Sequence, residues 1–187
     1  MKISQNGLNL IKRFETLVLY AYDDLDTSVP KRIISKGMQI KGTLTIGYGH
    51  TGIDVKPEMV IDKDKAERLL KNDLKIAEKA VNTAVKIPLN QNQYDALVSF
   101  TFNAGIGNLK KLTANRNSEQ IAKAILLYNK SKGKTCNGLI RRRQAEQKLF
   151  IAWKFKTIAH WQQNNTKGIC SIPKNEQRST GKAKALF

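Results

Sequence analysis

The sequence predicts an α+β protein, with a small β-sheet lobe near its start and a larger, mostly helical lobe behind it. Three observations carry that expectation: an amphipathic first helix, a short extended stretch running into a glycine-rich turn, and then apolar residues recurring at helical spacing. Ser4 is placed to cap the first helix, with Leu8, Ile11 and Phe14 on one face, and that helix is expected to end near Glu15. The following "LVLYAY" is rich in the β-branched and aromatic residues that favour extended chain. A polar stretch carrying Pro30, Gly37 and Gly42 then leads into "TLTIGYGHTG". There Thr43, Thr45 and Tyr48 alternate with Leu44 and Ile46, as in a strand entering a turn.

Beyond the turn the pattern is helical. Asp62 should cap a run in which Ala66, Leu69, Leu70, Leu74, Ala77, Val81 and Ala84 share a face. Pro88 and Asn90 interrupt, and "QNQYDALVSFTFNAG" places Tyr94, Leu97, Val98, Thr101 and Phe102 in a mostly buried helix. Ser118 should open another through Ile121, Ile125 and Leu126, and a long one follows through "GLIRRRQAEQKLFIAWKFKTIAHW". The chain reads as one domain over 1–187. The first helix and β lobe take 1–60, with 25–44 as an inserted stretch, the helical lobe takes 61–162, and a basic tail takes 163–187.

The net charge of +18 is unevenly spread. Residues 1–107 hold 15 Lys/Arg against 12 Asp/Glu, whereas residues 108–187 hold 18 against 3. Such asymmetry suits an anionic partner: nucleic acid, anionic lipid or a charged envelope polymer. A solvated basic face is the plainer reading. Apolar stretches fall far short of the ~20 residues that span a bilayer, and "MKISQNGLNLIKRFE" lacks a signal-peptide core. The expected location is therefore the cytoplasm. Cys136 and Cys170 lack the company of a metal motif and are expected as free thiols, pairing only in an oxidising compartment.

Candidate chemistry begins with "RFETLVLYAYDD". Cleaving a glycosidic bond takes two carboxyl groups in different protonation states, one to protonate the leaving oxygen and one to act on water or the anomeric carbon. Desolvation favours the neutral form of a carboxyl beside apolar side chains. Glu15 has Phe14 and Leu17 close by, while Asp24 follows the extended stretch in wetter sequence. Spacing alone would leave both as ordinary surface charges.

Five blocks in order change that: "GLNLIKRFE", "AYDD", "LTIGYGHTG", "QYDALVSFTFNAGIG" and "GLIRRRQAEQKLF". Together, over about residues 7–150, they resemble the phage-type lysozymes, the muramidase endolysins of bacteriophages. That resemblance implies a lysozyme-like fold with an active-site cleft between the lobes. It also implies a pattern of Glu, eight residues, Asp, five residues, Thr, to which Glu15, Asp24 and Thr45 correspond. By the same resemblance Glu15 is the general acid between N-acetylmuramic acid and N-acetylglucosamine, and Asp24 activates water with help from Thr45. Such an inverting hydrolysis needs carboxyls ~6.5–9.5 Å apart, and no metal or cofactor. One departure is plain: twenty residues, 25–44, separate Asp24 from Thr45 where the pattern has five. They either lengthen a hairpin at the cleft mouth or shift which acid is used, with Asp23 and Asp26 as the neighbours in question.

Other residues carry rival readings. His50 could be a general base, but a histidine between glycines after a strand more often fixes a turn. Gly47 and Gly49 lack the third glycine and helix of a phosphate cradle. Asn103 could touch sugar, and with Gly105 could instead shape a cleft wall or helix end. Arg141, Arg142 and Arg143 could bind nucleic acid, or pair with Glu146 at helical spacing. Leu149, Phe150, Ile151 and Trp153 lie nearly all round their helix, as in a buried terminal helix, although the mix with lysine also suits membrane disruption. The rival functions are a lytic transglycosylase, which manages with one glutamate, and a non-enzymatic cationic protein acting on membranes. Expected partners are bacterial peptidoglycan, the anionic envelope (lipopolysaccharide or membrane surface) through the basic C-terminal half, and a holin for release; nucleic acid is not expected, and the chain is read as a monomer.

Overall fold

The computed structural model describes the backbone of residues 1–165 and the side chains of residues 1–152. The chain divides into two compact units, Met1–Trp153 and Lys154–Phe187; the architecture below is that of the first.

Helix α1 (Gln5–Phe14) starts where Ser4 turns extended and its side chain accepts from the Gly7 N–H. Lys12 and Arg13 occupy its last turn, against the negative end of the helix dipole. The helix closes at Glu15, whose N–H still reaches the Ile11 carbonyl while its own backbone turns extended. Gly7 is where α1 lies tight on the third helix, since a Cβ there would come within 2.9 Å of Asp95 Cβ.

Strands β1 (Val18–Asp23), β2 (Leu44–Gly47) and β3 (His50–Thr51) form an antiparallel sheet in chain order. Tyr22 faces Thr45 across the first ladder, and Ile46 faces His50 across the second. The β2–β3 turn relies on Gly47 and Gly49, both with positive φ (68° and 88°), where side chains are disfavoured.

The inserted stretch does not lengthen this hairpin. Residues between Asp23 and Leu44 form no strand, because side-chain carboxylates take the backbone N–H groups a ladder would use. Asp23 accepts from Leu25, Lys41 and Gly42, so it closes the loop at both ends. Asp26 accepts from the N–H groups of Ser28 and Arg32 and from their side chains.

Asp62 caps α2 (Lys63–Ala84), accepting from Lys65 N–H at 2.6 Å. This helix serves two cores. Its first turns put Ala66 and Leu69 against Ala21, Ile46, Val55 and Ile61 of the β lobe. Its remainder puts Leu70, Leu74 and Ala77 against Leu97, Phe100 and Ile121 of the helical lobe. Leu8 and Ile11 of α1 join that second core, so the first helix packs with the helical lobe although it precedes the sheet.

Helix α3 (Gln91–Ala104) is opened by a capping box between Asn90 and Gln93 and stopped by Gly105 at φ 85°. Two further elements had no clear signal in the sequence. Helix α4 (Ile106–Thr113) restarts at once after Gly105 without a side-chain cap. The hairpin β4 (Lys130–Ser131) and β5 (Lys134–Thr135) consists of exposed polar residues and turns at Lys132 and Gly133, both at positive φ. Between these elements lies α5 (Ser118–Ile125), capped by Asn117 rather than by Ser118. The last helix, α6, spans Asn137–Asn165.

Candidate active site

Glu15 stands at the end of α1 on the wall of a cleft of about 710 Å³, with Asn103, Cys136, Arg141 and Gln144 among the other lining residues. The apolar surroundings expected for Glu15 are only half present. Phe14 is beside it, but its Oε1 accepts from Arg142 Nη1 at 2.6 Å, and the side chain is about a quarter exposed. Arg142 itself is 4% exposed and lies 5.7 Å above the Phe14 ring.

Arg142 belongs to a buried network. Its Nε donates to Glu146 Oε1 at 3.3 Å, and Arg143 Nε lies 3.0 Å from Glu146 Oε2. The Ser99 hydroxyl adds a bond to Glu146 at 2.7 Å. Burial pushes the Glu146 carboxyl up and the Arg143 guanidinium down, each opposed by the other's charge. Arg143 also donates to Asn103 Oδ1 at 2.6 Å. Because arginine can only donate, this bond fixes which way the Asn103 amide points, with its NH₂ end away from Arg143 on a residue that lines the cleft. Arg142 and Arg143 are therefore ion-pair residues, as the helical-spacing reading allows, and are not a row of exposed charges for nucleic acid. Arg141 is exposed.

Asp24 and Thr45 are not in the lining of that cleft. Asp24 is exposed just beyond β1, with Thr43 N–H donating to its Oδ1 at 2.7 Å. Thr45 is 3% exposed on β2, and its hydroxyl donates to the Thr43 carbonyl. What relates the two acids is Tyr22. Burial pushes its phenol up, and the charges of Asp24 and Glu15 push it further. Tyr22 is also the cross-strand partner of Thr45. The neighbouring acids differ sharply in use. Asp23 is held below the ordinary carboxylate range by the Lys41 N–H above all, against the opposing effect of burial, with help from Leu25 and Gly42. Asp26 is likewise lowered, first by the Ser28 N–H.

The His50 side chain makes its contacts with other residues. Its Nδ1 is 2.9 Å from both oxygens of Asp73 on α2, and its Nε2 is 3.2 Å from Asp54. Burial lowers its pKa, but the two aspartates outweigh this and hold it above the ordinary histidine value. It is a bolt between the β2–β3 turn and α2. Among the described residues no group of three His, Cys, Asp or Glu side chains is placed to hold a metal ion. Cys136 is half-buried in the cleft wall and free, while Cys170 and the aromatic segment beyond residue 152 lie outside the described side chains. Phe150 is buried, and Leu149 and Ile151 pack on the helical core.

The sequence raised Arg142 only as a nucleic-acid contact or a partner of Glu146, and did not raise Tyr22. A contact between residues 15 and 142 leaves no local signature, and Tyr22 shows only as one of two tyrosines in an extended run. Asp26-Thr27-Ser28, by contrast, is a spacing at which an aspartate caps its own turn, and could have identified Asp26 as a bracing residue.

A small antiparallel sheet, a helix-end glutamate at a cleft and a helical lobe behind it make up the lysozyme-like α+β fold. The muramidase domain of SpmX from Asticaccaulis excentricus has this fold, with a TM-score of 0.66 and 34% identity over 80% of this chain and 97% of its own. The chain belongs to the phage lysozyme family, whose model matches residues 12–146. It is similar to the endolysin of Bacillus phage B103, at 40% identity over 85% of this chain. It is also similar to the endolysin of Salmonella phage P22, at 39% identity over 81% of this chain and 99% of that protein. The chain spans 57% of the B103 endolysin and 58% of that of Bacillus phage PZA.

Proposed function

We propose that this chain is an endolysin hydrolysing the β-1,4 bond between N-acetylmuramic acid and N-acetylglucosamine in bacterial peptidoglycan. The observation that carries this reading is Glu15, fixed by Arg142 through Oε1 at the wall of an open cleft. In this reading Oε2 of Glu15 is the atom left to face substrate, and Glu15 protonates the leaving oxygen. Asp24, exposed and holding a single backbone N–H, activates the water. The bracing of Asp23 and Asp26 supports Asp24 over its neighbours, because each of them already accepts several hydrogen bonds that hold the loop. Thr45 keeps two hydroxyl lone pairs for that water while its proton goes to Thr43. Asn103, held by Arg143, offers its NH₂ group to a sugar oxygen. No metal or cofactor has a part in this scheme.

A second reading has one observation in its favour. Asp24 and Thr45 are not among the residues lining the cleft that holds Glu15, and a lytic transglycosylase would need only the glutamate. Mass spectrometry of fragments released from purified peptidoglycan separates the two. Hydrolysis yields reducing muramic ends; anhydro ends would replace the proposal with a transglycosylase, and absence of any cleavage would contradict both.

Release from the host cytoplasm through a holin, and concentration on the anionic envelope through the basic C-terminal half, belong to the same proposal. The charge supports the second: 18 Lys/Arg against 3 Asp/Glu over 108–187 attract an anionic surface. The proposed working form is a monomer.

A further inference from the structure

We infer that the inserted loop over residues 25–43 is a contact surface for an anionic lipid bilayer, separate from the cleft. Among the described residues eleven large apolar side chains are exposed, and five of them fall in this loop: Leu25, Val29, Ile33, Met38 and Ile40. Val29 is 95% exposed. The loop is nevertheless firmly placed. Asp23 ties its two ends, Asp26 holds its first turn, and Tyr20 donates to the Lys31 carbonyl at 2.6 Å. Ile34 alone among its large apolar residues turns inward, to 4% exposure, with its N–H on the Ala21 carbonyl. Folding thus uses one aliphatic side chain of the loop and leaves five in water. Apolar surface kept exposed on a braced segment marks an interaction site.

Charge selects the partner. The ammonium groups of Lys36 and Lys41 make no ion pair among the described residues, and Arg32 is largely exposed. Asp26 pairs with Arg32 at 3.2 Å and offsets that charge, and the exposed carboxylates of Asp24 and Glu58 border the loop, but over residues 25–43 four Lys/Arg stand against one Asp. The exposed apolar side chains of the loop are thus aliphatic, and its net charge is positive. Sugars and nucleobases are gripped by aromatic faces, and none of the five side chains is aromatic. Aliphatic groups flanked by Lys and Arg match the acyl boundary of a bilayer with anionic headgroups. The neighbouring chain extends the surface. Lys36 N–H donates to Glu58 and Glu58 N–H to the Ile34 carbonyl, beside Val60, which is also exposed.

The test is co-sedimentation of the full chain with phosphatidylcholine vesicles, with and without phosphatidylglycerol. Two double variants are compared with wild type: Val29→Ser with Ile33→Ser, and Lys36→Gln with Lys41→Gln. Each basic residue near an anionic bilayer raises partitioning about fivefold, so the lysine pair is expected to weaken binding about 25-fold. The apolar pair is expected to weaken it by at least about tenfold. All forms should bind pure phosphatidylcholine poorly. The lysine pair keeps the test valid if the apolar pair proves poorly folded. Wild-type binding retained by both variants would overturn the inference and move membrane contact to the basic C-terminal half. No binding by wild type would also overturn it, as would variants that only abolish self-association in size-exclusion chromatography. Turnover is not read, so failure here is distinct from failure of the hydrolase proposal.

Discussion

Glu15 owes its position to residues that are remote in sequence. The chain from Ser4 to Phe14 brings it to a helix end, but Arg142, 127 positions later, fixes its carboxyl. Arg142 can be trusted with that task only because Glu146 holds it from behind, with Arg143 and Ser99 completing the cluster. Glu146 is 0% exposed, and removing one member of a buried ion cluster costs about 3–5 kcal/mol. Glu146→Ala should therefore lower Tm by at least about 6 °C, at ~2–4 °C per kcal/mol for a chain of this size, measured by thermal unfolding. It should lower cleavage activity as well, because Arg142 loses its support. A Tm within a degree or two of wild type would mean that the cluster is not what positions Arg142. Glu15, Asp24 and Thr45 were raised by the family resemblance; the structure puts Glu15 on the cleft wall and leaves Asp24 and Thr45 outside its lining. The parts of Arg142 and Tyr22 were not legible, since they depend on pairings between distant segments.

Where elements meet, His50 joins the β2–β3 turn to α2. Its folded pKa lies above the ordinary value near 6.5, so its contribution is fully present below that value and fades as pH rises through the folded pKa. The Tm deficit of His50→Gln relative to wild type should be several degrees at pH 5.5 and smaller at pH 8.5. An equal deficit at both values would show that the Asp73 and Asp54 contacts contribute packing and no charge. The elements themselves were mostly legible: Ser4 and Asp62 announced α1 and α2 with their caps, and apolar residues announced α3, whose cap Asn90 read only as an interruption. The exceptions have physical causes. Helix α4 is short and uncapped, and the β4–β5 hairpin has no apolar face to reveal it. The insertion left a longer hairpin or a change of acid both open, because its bracing depends on what Asp23 and Asp26 accept, which composition does not reveal.

The unit Met1–Trp153 joins two cores through α2, one under the sheet and one within the helical lobe. The candidate residues come from both sides of that division, Glu15 and Arg142 from helices and Asp24 and Thr45 from the sheet and its edge. The central claim is that these two groups act together, with Asp24 as the second carboxylate. It is tested most directly by the rate of reducing-end release from purified peptidoglycan by wild type, Glu15→Gln, Asp24→Asn and Asp26→Asn. Removal of a positioned acid or base costs about 10²–10⁴ in rate. Losses of that size in Glu15→Gln and Asp24→Asn, with Asp26→Asn folded and active, are the predicted result. Full activity in Asp24→Asn would contradict the account and leave Glu15 to act without it.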